Sequence, residues 1–116
     1  MTKLKTAYAE YGMDYSGSME RTAGDEELLR ELLDMFAADG NYALLTAAMD
    51  AVNVTDAFRA AHALKGSSGM LGMTGLHAVM RDMTERLRAG DISGAREFRD
   101  AAEREYNTAM RMIGSL

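Results

Sequence analysis

Not one proline interrupts these 116 residues. Proline is the residue that most strongly breaks a helix interior, at a cost of about 3 kcal/mol. The chain is instead dominated by Ala, Leu, Met, Glu and Arg, which favour helix and give little support to strands. The fold class that follows is all-α. A chain of this length most simply forms one domain over residues 1–116, with room for a real core and none for a second catalytic module.

Apolar spacing divides the chain into helices. Residues 2–11 can form a short one, stopped near Gly12, and GMDYSGSMERTAG after it reads as a loop or irregular turn. Asp25 is a good N-terminal residue for the next helix, whose Leu28, Leu29, Leu32, Leu33 and Phe36 share a buried face. The same phase continues past Gly40 through Ala43, Leu44, Ala47, Ala48 and Val52, so one long or lightly broken helix with a kink at Gly40 is expected. Asn53 to Thr55 breaks the pattern, and Thr55 is the expected N-cap of a helix running to about Gly72 with Ala57, Ala61, Leu64, Ser68 and Leu71 inward. Thr74 and Gly75 lead into a further helix with Leu76, Val79, Met80, Met83 and Leu87 on one face, ending at Ala89 and Gly90 behind basic residues. Ser93 can cap a last helix bearing Phe98, Ala101, Ala102, Tyr106, Met110 and Ile113. Four amphipathic helices on short connections pack most readily as an antiparallel bundle.

Composition removes several classes of function. A net charge of −5 gives no general attraction for nucleic acid, so no nucleic-acid partner is expected. Without cysteine there are no disulfides, no thiolate chemistry and no Cys-based zinc site. The N-terminus lacks the apolar stretch of a signal peptide, and nowhere do 18 consecutive apolar residues offer a membrane span, which places the expected protein in the cytoplasm. The two histidines, His62 and His77, lack the three or four converging donors a zinc centre wants, so no metal and no cofactor are expected.

One stretch stands out against this background: HALKGSSGMLGM, residues 62–73, places Gly66, Gly69 and Gly72 inside or at the end of a helix, although each helical glycine costs roughly 1 kcal/mol relative to Ala. At about 100° per residue from His62, Lys65 lies about −60° away, Gly66 about +40° and Gly69 about −20°, while the core stripe is centred about 140° round. The histidine therefore faces solvent over a strip bare of side chains, with Lys65 one turn on and Arg59 one turn back. An exposed imidazole offers an unprotonated ring nitrogen near neutral pH. A phosphoryl group on that nitrogen brings about two negative charges, which an ammonium one turn away can stabilise. Bare surface at Gly66 and Gly69 would let another protein bring an acyl phosphate within bonding distance.

The run Ala61 to Gly72, A-H-A-L-K-G-S-S-G-M-L-G, closely resembles the H-x-L-K-G-[SA]-[SA]-x-x-[LI]-G signature of histidine phosphotransfer (HPt) domains, carriers in multistep two-component phosphorelays. The resemblance extends to G-D-E-E-L-L-R-E-L-L-D-M-F before it, similar to the first bundle helix, and to L-H-A-V-M-R-D-M and R-A-G-D after it, similar to the next. It implies a four-helix bundle with an additional N-terminal helix, His62 as the phosphorylated residue, Lys65 as the phosphate-stabilising cation and Gly66 as the residue giving access. Thr84 departs from the pattern, standing where the family often has an acidic residue, with Glu85 one place later; the expected consequence is confined to surface detail.

The expected function is that of a phosphoryl carrier rather than an enzyme. A receiver domain's phosphoaspartate passes its phosphoryl group to His62, which passes it to another receiver, with Mg²⁺ supplied by the receiver. Expected partners are response-regulator receiver domains and a hybrid histidine kinase, and the chain itself is expected to be a monomer. Phe58 reads either as a boundary core residue or as an apolar docking contact, and Arg59 as a solvated charge that assists phosphate incidentally. His77, with no Lys at i+3 and no glycine shelf, reads as an ordinary surface or boundary residue. Two other readings stay open. The chain could be a phosphoacceptor module cut from a hybrid or chemotaxis-type kinase, against which the initiating Met favours a free-standing protein. It could also be a helical adaptor that binds receivers without carrying phosphate, against which His62, Lys65 and both nearby glycines argue.

Overall fold

The computed structural model describes all of residues 1–116. Eight helices follow in order: α1 (Lys3–Glu10), α2 (Tyr15–Arg21), α3 (Glu26–Ala38), α4 (Asn41–Asp50), α5 (Val54–Met70), α6 (Thr74–Arg88), α7 (Ile92–Arg96) and α8 (Arg99–Gly114). There is no strand.

Four arms make an antiparallel bundle. α3 and α4 form the first, α5 the second, α6 the third, and α7 with α8 the fourth. Side-chain contacts show the alternating directions. Asp50 at the end of α4 pairs with Arg99 at the start of α8 at 2.7 Å. Farther along, Tyr106 of α8 stacks on Tyr42 with ring centroids 4.0 Å apart and meets Phe36 at 5.9 Å. α5 and α6 likewise run opposite ways, since Gly69 near the end of α5 abuts His77 near the start of α6, while Phe58 near the start of α5 meets Arg88 at the end of α6. The result is an elongated molecule of 45 × 23 × 20 Å around one continuous core. Leu29, Leu33, Leu45, Met49, Leu64, Leu76, Met80, Met83, Leu87 and Met112 are almost wholly buried in it. Methionine suits such a core because its unbranched thioether fills irregular gaps.

The N-terminal addition is two helices where the sequence suggests one. Residues 15–21 are helical, not loop, because Asp14 caps them by accepting from the Gly17 N–H at 2.9 Å. The segment YSGSMER has no apolar stripe to reveal it. α1 and α2 close the end of the bundle where α5 turns into α6. Tyr8 donates its hydroxyl to the Leu71 carbonyl at 2.7 Å, the Asp14 N–H bonds the Gly72 carbonyl at 2.9 Å, and Arg21 Nε reaches the Met70 carbonyl at 2.9 Å. Burial pushes the Tyr8 phenol up to about 12.

The first arm is broken, not merely kinked. Asp39 leaves the helix for an extended conformation with ψ 129°, and its carboxylate accepts from the Asn41 backbone at 2.8 Å and side chain at 2.7 Å to restart the chain. Stepping out of the helix shifts the phase. α4 buries Leu45, Ala48 and Met49, whereas of the expected stripe Ala43, Leu44, Ala47 and Val52 are exposed. Val52 instead takes the left-handed conformation, φ 55°, that closes α4, with the Asn53 N–H returning to the Ala48 carbonyl at 2.8 Å. α5 begins two residues earlier than expected because Asn53, not Thr55, is its cap, accepting from the Asp56 N–H at 3.1 Å. The last arm is capped by Asp91, not Ser93, and a two-residue turn at Glu97 and Phe98 separates its short first piece from α8.

Candidate functional site

The inner face of α5 is built of small side chains. Ala57, Ala60, Ala61, Leu64 and Ser68 are buried, and the alanines let α4 and α6 close in on either side. His62 lies opposite that face and is exposed, as helical counting requires.

Two glycines near His62 differ sharply. A Cβ built on Gly66 would meet nothing within 4 Å, so the surface one turn beyond His62 is open. A Cβ on Gly69 would lie 2.9 Å from Nδ1 and 3.0 Å from Cε1 of His77. The surface at Gly69 is therefore not bare, contrary to the sequence expectation: its missing side chain is the space into which α6 inserts an imidazole. His77 is correspondingly half-buried, with Nδ1 2.9 Å from the Lys65 carbonyl oxygen. That oxygen can only accept, so the His77 tautomer is the one protonated at Nδ1. His77 does have a glycine shelf, on the neighbouring helix.

Arg59 and Lys65 stand one turn to either side of His62 on α5, and Arg88 of α6 lies over the neighbouring Phe58 ring. Arg59 lies 3.8 Å from Asp56, and Arg88 lies 3.3 Å from Glu85. Lys65 is the one of the three with no carboxylate within 4.0 Å, which leaves its ammonium available to an incoming anion. Phe58 is half-buried against the core, its ring stacked on that of His62. No group of three or more His, Cys, Asp or Glu side chains is gathered so as to hold a metal ion.

The sequence matches the Hpt domain family over residues 27–112, about three quarters of the chain. The protein belongs to the Hpt domain family. Comparison with curated proteins and with solved structures finds no match. Hpt domains perform phosphotransfer in two-component signalling and engage response-regulator receiver domains. The Hpt match begins inside α3, so α1 and α2 lie outside it, and the segment 62–72 lies well within it. No helix of this Hpt protein is long and apolar enough to cross a membrane.

Of the residues singled out from sequence, His62, Phe58, Arg59, Lys65 and Gly66 form one surface on α5, and Gly69 is withdrawn into the seam with α6. Two features of that seam escape sequence reasoning. Arg88 sits over the Phe58 ring, 5.0 Å from its centroid. The pairs 58 with 88 and 69 with 77 also define an antiparallel register that sets Thr84 level with His62. Thr84 is not a surface detail: it is 0% exposed, and its hydroxyl has no hydrogen-bond partner. Only the pairing of α5 with α6 locates these residues.

Proposed function

We propose that His62 is the phosphoacceptor of a histidine phosphotransfer protein, and that residues 1–116 act as one relay unit between receiver domains. The observation that carries this reading is the open space at Gly66 beside an exposed His62. A partner surface can approach there without displacing any side chain. In the forward step, a ring nitrogen of His62 attacks the phosphorus of the receiver's phosphoaspartate. The N–P bond forms as the bond from phosphorus to the aspartyl oxygen breaks, and the carboxylate departs with the electron pair. Transfer onward is the reverse of this step on a second receiver. Lys65 balances the charge delivered to the ring, and Arg59 adds a weaker, partly neutralised cation. The Mg²⁺ used in in-line phosphoryl transfer is assigned to the receiver.

The test is labelling by a panel of phosphorylated receiver domains. His62→Gln should abolish acid-labile phosphate on the protein, while His77→Gln should leave it in place. A His62→Gln protein that still accepts phosphate from a receiver would overturn the assignment. A wild-type chain that binds receivers and never accepts phosphate would make it an adaptor.

A further inference from the structure

Phe58 stands one helical turn before His62, and their rings stack with centroids 5.7 Å apart and planes 12° from parallel. An exposed imidazole left to itself samples several rotamers, most of which turn the nucleophilic nitrogen away from an incoming phosphorus. Phe58 is not free to move with it. Its ring packs against the core and carries the Arg88 guanidinium 5.0 Å from its centroid. Arg88 is held in turn, donating from Nε to Glu85 at 3.3 Å. The lone pair of an imidazole nitrogen lies in the plane of the ring. A plate against the ring's face therefore restrains it and leaves the reacting edge open.

Resting on the assignment of His62 as phosphoacceptor, we propose that Phe58, braced from α6 by Arg88, is a positioning residue that holds the His62 imidazole in the orientation from which it attacks. With its ring engaged by His62 and Arg88, Phe58 acts on transfer through the histidine and not by contact with the receiver.

Two measurements on the full chain test this. In NMR spectra, the Cδ2 and Cε1 protons of His62 should carry a ring-current shift that disappears in Phe58→Leu and returns in Phe58→Tyr. In single-turnover transfer from a phosphorylated receiver at increasing receiver concentration, Phe58→Leu should lower the maximal rate about three- to tenfold. Its half-saturating concentration should stay unchanged, and Phe58→Tyr should restore the rate. Arg88→Met, at an exposed side chain, should lower the maximal rate part of the way with the melting temperature unchanged, and it keeps the test open should Phe58→Leu not fold. An unchanged maximal rate in a variant that has lost the ring-current shift would overturn the proposal. So would a change confined to the half-saturating concentration, which makes Phe58 a docking contact, and so would a wild-type His62 with no ring-current shift. Failure of the wild-type chain to take phosphate on His62 overturns the phosphoacceptor assignment instead, and the NMR comparison still reads the stack independently of it.

Discussion

Two histidines and two glycines make two local sites on this bundle, and they use the same residue types for opposite ends. On the outer face of α5, His62 is exposed beside Gly66, whose missing side chain leaves open space. In the seam between α5 and α6, His77 fills the space left by Gly69 and hydrogen-bonds the Lys65 carbonyl. A glycine beside a histidine thus leaves open space in one place, the entrance of the proposed function, and a socket in the other. Lys65 joins the two: its backbone oxygen anchors His77, and its side chain remains unpaired on the side of His62. What a neighbouring helix occupies, and not the glycine itself, separates open surface from packing.

Removing the Lys65 side chain should separate the sites most. Lys65→Ala keeps the carbonyl that His77 uses, so the melting temperature should hold. Phosphorylation of His62 should slow and the phosphohistidine should decay faster, by at most about 1.5–3 kcal/mol, as for hydrogen bonds to charged groups. Equal forward rates and equal phosphohistidine lifetimes in mutant and wild type would return Lys65 to the status of a solvated charge.

Filling the entrance comes next. Gly66→Gln places a side chain one turn from His62 and should slow receiver-to-His62 transfer at least about tenfold, or roughly 1.4 kcal/mol of barrier. The melting temperature should be equal or higher, because glycine is a poor helix former. Transfer at the wild-type rate by a folded Gly66→Gln protein would remove the entrance from the comparison.

Filling the socket should show up in stability. At Gly66, alanine meets open space and should gain up to about 1 kcal/mol. At Gly69 the new Cβ lies 2.9 Å from His77 Nδ1, and overpacking of this kind costs typically about 1–3 kcal/mol. Thermal melts should therefore rise for Gly66→Ala and fall for Gly69→Ala, and the penalty at 69 should vanish in a His77→Ala background. Additive effects of the two substitutions would mean that His77 and Gly69 do not share the space.

The smallest effect belongs to the His77 hydrogen bond. His77→Phe keeps a ring in the socket but leaves nothing to donate to the Lys65 carbonyl, which also receives the Ser68 hydroxyl at 3.2 Å. The expected loss is about 0.5–1.5 kcal/mol in a denaturant melt, with labelling of His62 intact. A loss of labelling would make the seam part of the transfer site.

Much of this protein is determined by sequence alone, because much of it is local. A proline-free chain rich in helix formers must be helical, and the 3.6-residue period that puts Ala57, Ala61 and Leu64 inward also turns His62 outward whatever surrounds it. The motif around His62 is legible for the same reason, since His, Lys and Gly lie within two turns of one helix. Legibility ends where position depends on a second element. The stripe expected through Gly40 loses its phase because Asp39 leaves the helix and its carboxylate restarts the chain at Asn41. α2 has no apolar period and is held by its Asp14 cap and by contacts with the α5–α6 turn. Gly69 and Gly66 cannot be told apart on a helical wheel, lying about 60° from each other on the same side. Only the register of α6, which brings His77 to one and nothing to the other, decides that Gly69 is a socket, that Gly66 faces open space, and that Thr84 is a buried neighbour at the level of the histidine.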